Sequence, residues 1–336
     1  MRAVSDKEPA TTLSGDAGGN ILPGSNKRIV WDAGADWNGQ FSSSVRVQVT
    51  VTDVSSGMAA IPDGTFQMGD GFSEGNTSER PVHSVSVSAF CIDRLEVTKA
   101  MWDEVRAWGA GHGYTDLPAG SGKAANHPVW AVNWYAAVKW CNARSEKEGF
   151  TPCYTYNSAT YKLGEYNNIA CNWTANGYRL PTEAEWEKAA RGGVEGQRFP
   201  WGAVVNHDYA NYRANHTTYP AYDTSPYTVD TFYPPYATGD HPFTSPIGTF
   251  GANGYGLYDV SGNVFEWCWD RYGSTYYNGL PSSNPRGPDS GTDRVVRGGS
   301  WYAIAFGLRN SFRNFFAPSF TGVQPAVGFR AARSVP

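Results

Sequence analysis

The sequence is short of charge, of sulfur and of long apolar runs, and each shortage excludes something. Charged residues make up 17% of the 336, with a formal net charge of −4, so the basic face that nucleic acid requires is not expected. No hydrophobic run approaches the length of a membrane span. The first residues, MRAVSDKEPATTLSGDAGG, contain no apolar stretch of the kind a secretory signal needs. The five cysteines (Cys91, Cys141, Cys153, Cys171 and Cys268) are an odd number without close metal-type pairing. Cys153 and Cys171 flank a Tyr/Asn-rich loop and admit either a bridge or two buried thiols, which leaves the redox compartment open.

What the chain does have is glycine, proline and aromatic residues: 38 Gly, 21 Pro, 13 Trp, 20 Tyr and 16 Phe. That mixture predicts many turns and a loop-rich fold with few helices. Residues 13–54 read as a small β-rich unit, with strands in KRIVWDAG, GQFSSS and the alternating VRVQVTVTD. The main body runs over 58–333. MAAIPDGTFQMGD predicts two strands joined as a hairpin by Pro-Asp-Gly. Thr98 is placed to cap a helix reaching about Ala107. VNWYAAVKWCNARSEKEG predicts a helix with Trp134, Ala137, Val138 and Cys141 on one face and Gly149 as its stop. In RLPTEAEWEKAARGG, Thr182 and Glu185 form a capping box, and the helix ends at Gly192-Gly193. Glu183, Glu185 and Glu187 favour that helix's dipole and are expected to face solvent in part, with no catalytic role. From 194 to 293 the chain is a long irregular excursion, to be pinned by bound metal or by aromatic packing.

Six motifs then occur together and in order: IPDGTFQMGD, HPVWAVNWYAAVKWCN, GYRLPTEAEWEKAARGG, PWG, SPIGTFGANGYGLYDVSGNVFEW and RVVRGGSW…VGFR. From Met58 to Arg333 the chain resembles the formylglycine-generating enzyme (sulfatase-modifying factor) family. The resemblance implies an α+β, C-type lectin-like fold with few helices and much irregular chain. Enzymes of the family oxidise a substrate cysteine using copper and two cysteines that follow RGGS in the pattern RGGS-x-x-C-x-x-x-x-C. Here those positions hold Ala303 and Leu308, and no cysteine follows Cys268. Copper(I) needs soft thiolate ligands, so neither copper nor oxidase activity is expected. The six histidines show no cluster suited to the three-His iron branch of the fold, and the EPN, QPD and WND motifs of sugar-binding lectins are missing.

The departure fits another branch, the variable proteins of diversity-generating retroelements. They share this fold and place hypervariable positions in the C-terminal stretch, here 297–330. The resemblance assigns a scaffold of Ser300, Trp301, Ala305, Leu308, Arg309, Arg313, Pro318, Gly328, Phe329 and Arg330. It leaves as variable Tyr302, Ala303, Ile304, Phe306, Gly307, Phe312, Asn314, Phe315, Phe316, Ala317, Phe320, Gly322, Val323 and Ala326. Adenine-directed mutagenesis of AAC codons yields NNC codons; all of these residues are reachable that way, and none is Lys, Glu, Gln, Met or Trp. The stretch follows neither a strand nor a helix period. Rigid aromatic side chains suit a binding surface, with Phe315 and Phe316 as first anchors. The expected function is therefore a non-catalytic ligand-binding protein with a protein or other macromolecular partner; its localisation is left open, cell-surface display or secretion being compatible with that role. The bland alternative is a degenerate family member whose phenylalanines fill a core.

The resemblance also implies structural calcium. GNVFEW offers the Asn263 amide, the Val264 carbonyl and the Glu266 carboxylate, all hard oxygen donors. Asn211 and Tyr212 would contribute to a second site, completed by Asp223 or Asp230. Against this, Asn263 and Glu266 would serve only to satisfy buried backbone groups at a turn.

Overall fold

The computed structural model describes residues 13–15, 29–31, 57–279 and 281–335. The chain divides into two units, Met1–Val51 and Thr52–Pro336. In the first, Leu13–Gly15 pairs antiparallel with Ile29–Trp31, within the expected KRIVWDAG strand. The strands expected in GQFSSS and VRVQVTVTD lie outside the described residues.

The second unit holds three α-helices among the described residues: α1 (Lys99–Ala110), α2 (Trp134–Lys147) and α3 (Glu183–Ala190). Their starts follow from side-chain capping. Thr98 accepts from the Met101 N–H, Asn133 from the Ala136 N–H, and Thr182 with Glu185 closes a full capping box. Gly149, at φ +79°, supplies the left-handed turn that ends α2. Helix α2 is buried from Trp134 to Ser145, not on one face alone. The polar residues this buries are satisfied: Lys139 meets Asp116 at 2.6 Å, Arg144 meets Asp93 at 2.8 Å, and Asn142 bonds the Tyr154 and Tyr161 carbonyls. No helix among the described residues is long and apolar enough to cross a membrane.

Two four-stranded sheets organise the rest. One is antiparallel, in the order Tyr178–Arg179, Ala332–Ser334, Phe90–Asp93, Met58–Ile61. The hairpin expected from Pro-Asp-Gly does not form. Met58–Ile61 pairs with Phe90–Asp93, while Gly64–Met68 turns away to pair with His83–Val87. Both strands exist, but long-range pairing overrode the local turn signal.

The second sheet runs in the order Asn314–Phe316, Arg294–Arg297, Phe265–Arg271, Val327–Gly328, the last pair parallel. The stretch 297–330 therefore leaves this sheet on one strand and returns on another, with Asn314–Phe316 at the edge between. The core under it contains Trp134, Phe265, Trp267, Val296, Val327 and Phe329. Two glycines fix its ends by contact. A Cβ on Gly299 would lie 2.6 Å from Leu308 Cδ2, and one on Gly328 would lie 2.5 Å from the Val129 carbonyl oxygen.

Candidate binding surface

The arginines of the stretch hold its course. Arg309 grips Glu79 with two bonds of 2.9 and 3.0 Å, Arg313 grips Glu183 at 2.6 and 2.8 Å, and Arg330 grips Glu266 at 2.7 Å twice. Arg297 bridges Glu183 at 3.1 Å and Glu187 at 2.5 Å. All eight of these residues are buried, which reverses the expectation that the glutamates of α3 face solvent. Glu185 is likewise taken, by Arg179 at 2.6 and 2.7 Å. Burial pushes the Glu187 carboxyl up, but Arg191, Arg297 and the Gly69 N–H outweigh it and hold the group below its ordinary value. Bidentate Arg–carboxylate pairs in low dielectric are directional, so they fix position as well as charge.

Between these anchors the side chains divide by exposure. Of the ten scaffold residues nine are buried, Pro318 being half-buried. Of the fourteen positions expected to vary, twelve reach the surface at least in part. Tyr302, Ala303, Ile304, Phe306, Phe312, Asn314, Phe316, Phe320, Gly322 and Val323 are half-buried, and Phe315 and Ala317 are exposed. Gly307 and Ala326 depart from the expectation and are buried. A Cβ on Gly307 would meet Ala303 and Phe312, and Ala326 packs with Trp301 and Val264.

Phe315 is 41% exposed and stacks on Tyr272 at 4.1 Å, whereas Phe316 leans on Phe320 at 4.3 Å above Phe265 and Trp267. The two expected anchors thus point to opposite faces of one edge strand. Two cavities of about 190 and 130 Å³ are lined by other residues.

Residues outside the stretch join this surface, and sequence patterning missed them. The Arg213 backbone N–H donates to the Ala303 carbonyl at 2.9 Å, and the Arg213 guanidinium lies 4.8 Å over the Tyr302 ring. Phe232 stacks beside Tyr302 at 6.1 Å and Tyr219 beside Phe306 at 6.0 Å. The aromatic residues of the 194–293 excursion were the available signal, but nothing local says which rings turn toward 302–326.

The side chains expected at the calcium sites have partners within the protein. The Asn263 amide oxygen accepts from the Ser245 N–H at 2.9 Å and hydroxyl at 3.3 Å, and its nitrogen donates to Glu96 at 2.6 Å. The Val264 N–H donates to the same Glu96 carboxylate at 3.3 Å. Both Glu266 oxygens are held by Arg330, with the Trp186 indole N–H on one at 2.7 Å. At the second place, Asn211 donates to the Phe243 carbonyl, and Tyr212 donates its hydroxyl to Asp223, which also accepts from Ser225 and Asn215. Asp230 is bonded by Asn215 and Arg213. Arranged so, these groups satisfy turns and one another.

Cys141, Cys153 and Cys268 are buried free thiols, Cys171 is a half-buried one, and Cys91 is buried. Burial pushes all of Cys141, Cys153, Cys171 and Cys268 up, Cys153 to about 11.

Comparison with known proteins places this geometry. Residues 46–335 match the model of the sulfatase-modifying factor enzyme 1-like domain. The chain is 34% identical over 269 residues to the formylglycine-generating enzyme of Thermomonospora curvata, covering 74% of this chain and 84% of that one. It is also 34% identical over 291 residues to the chaperone protein LppX of Paenibacillus barcinonensis, covering 84% and 91%. Among solved structures, Treponema denticola variable protein 1 superposes with a TM-score of 0.62 at 29% identity, covering 82% of this chain and 94% of that one. The chain belongs to the sulfatase-modifying factor family and has its α+β, C-type lectin-like fold.

Proposed function

From that membership, and from the absence of its catalytic thiols, we propose that the chain is a non-catalytic ligand-binding protein whose residues 302–326 form a binding surface diversified by a retroelement. The division of exposure along the stretch carries the reading. Nine of the ten residues assigned to scaffold are inside, three of them arginines tied to glutamates, while twelve of the fourteen interchangeable ones reach the surface at least in part. A core-filling origin for the phenylalanines would not leave Phe315 at 41% exposure and Phe306, Phe312 and Phe320 half open.

Oxidation of a cysteine substrate needs two accessible thiolates for copper. Ala303 and Leu308 supply none, and burial pushes Cys141, Cys153, Cys171 and Cys268 above the ordinary thiol value. A macromolecular partner suits an open aromatic surface better than a small molecule does. Display outside the cell belongs to this reading because the surface must meet foreign ligands.

The coding DNA tests it. The expected finding is NNC or NNT codons at the fourteen positions and a nearly identical, adenine-rich copy beside a reverse transcriptase gene. Codons of other forms at those positions, with no such copy, would refute diversification.

A further inference from the structure

The surface has a charge bias that its composition alone hides. Residues 302–326 contain no Asp or Glu, and their two arginines, Arg309 and Arg313, are turned inward onto Glu79 and Glu183. The cation that does reach the surface is Arg213, on the strand Arg213–Ala214, its ring-stacked head beside Tyr302. Its side chain is 25% exposed and makes one ionic contact of 3.1 Å to Asp230, while its Nε–H is buried without a hydrogen-bond partner. Asp230 is itself 47% exposed and shared with the Asn215 amide. A guanidinium can hold a carboxylate through two parallel N–H bonds, and here its exposed part is held by a single contact to the half-exposed Asp230. Across Phe232 and Phe243 lies a second cation, Lys123, whose ammonium donates to the Tyr236 and Thr238 carbonyls and has no carboxylate among these partners.

We propose, building on the binding-surface reading above, that this face takes a protein segment in which an acidic side chain is flanked by aromatic or aliphatic ones. The carboxylate seats on Arg213, and the apolar neighbours cover Phe306, Phe312, Phe316 and Phe320. The cation sits outside the diversified positions, so the acidic preference is a constant of the framework, while the apolar contacts are set by the interchangeable residues. Stacking on Tyr302 keeps the planar guanidinium partly desolvated, the setting in which an ionic contact discriminates most.

The test is panning of a random dodecamer peptide library, displayed on phage, against the immobilised full chain and against Arg213→Gln. The wild type is expected to enrich peptides with Asp or Glu next to Trp, Phe, Leu or Ile. Arg213→Gln is expected to select apolar peptides without the acidic residue. An enriched peptide, made synthetically, should bind Arg213→Gln at least about tenfold more weakly, and its Glu→Gln form should lose as much against the wild type with no further loss against the variant. Asp230→Asn, which removes the competing carboxylate, should bind the acidic peptide more tightly and guards against misfolding of the first variant. Apolar binders without acidic enrichment, or the same acidic enrichment on Arg213→Gln, would overturn the inference and leave the binding surface standing. A wild-type chain that enriches nothing would overturn both.

Discussion

Replacing Glu183 by Gln, set beside replacing Phe315 by Ala, separates a suspended surface from a hydrophobic core. Glu183 is 2% exposed and accepts from Arg313 at 2.6 and 2.8 Å and from Arg297 at 3.1 Å. Glutamine keeps the shape but removes the charge and turns an N–H₂ toward two guanidinium groups. Arg297 retains Glu187, so the loss falls on Arg313, left with the Ser78 and Gly273 carbonyls. Breaking one side of a buried pair costs about 3–5 kcal/mol. Phe315→Ala removes a ring that is 41% exposed and stacked on Tyr272, which is worth at most about 1.5 kcal/mol. Urea unfolding followed by tryptophan fluorescence should therefore show a large fall in midpoint for Glu183→Gln and a small one for Phe315→Ala. Equal losses would place Phe315 in the core and refute the surface. A loss below about 1 kcal/mol for Glu183→Gln would show that the ion pairs do not hold the stretch.

Three further outcomes are expected. Burial raises Asp259 to about 6 from 3.8, a gap of roughly 3 kcal/mol, so its contribution to stability is full at low pH and is lost as pH rises through about 6. The difference in melting midpoint between wild type and Asp259→Asn should then grow from pH 4 to pH 7, and a flat difference would contradict it. Millimolar calcium should leave the melting midpoint within about 1 °C, since Glu266 is committed to Arg330. A rise of several degrees would show that an ion can pull these donors together. Copper-loaded protein given a cysteine peptide and oxygen should consume no peptide thiol above the metal blank, and turnover would restore the enzyme reading.

The parts of the fold that were legible are those decided within a few residues. Thr98 and Thr182 bond backbone groups three positions on, so those two helix starts could be read directly; Asn133 does the same for α2, a cap the sequence reading did not name. The strand partner of Met58–Ile61 could not, because Phe90–Asp93 competes with the local turn from some thirty residues away. The glutamates of α3 were misread for the same reason. A helix dipole explains acids in a first turn, but Arg297 and Arg313 lie 114 and 130 residues from Glu183, and only the folded sheet brings them in. The division between buried and surface positions over 302–326 follows no period, since a stretch whose backbone is held by ion pairs need not repeat. Arg213 could not be found at all before its ring contact with Tyr302 was seen.

The form of the scaffold follows from what it has to do under the proposed reading. An ordinary loop is placed by its own side chains, which fill gaps and so fix the backbone. A stretch whose side chains are replaced wholesale has no such recourse, because each replacement would move the chain. Its course has to come from groups that are never exchanged and that define direction as well as depth. Buried apolar residues define depth but slide; a forked guanidinium on a carboxylate does not. Arg297, Arg309, Arg313 and Arg330 reach Glu183, Glu187, Glu79 and Glu266 at the start, the middle and the end of the stretch. Gly299 and Gly328 admit the close approaches at its ends. Desolvating four arginines gains little stability over apolar packing. What it supplies is a backbone that keeps its place whichever residues it carries.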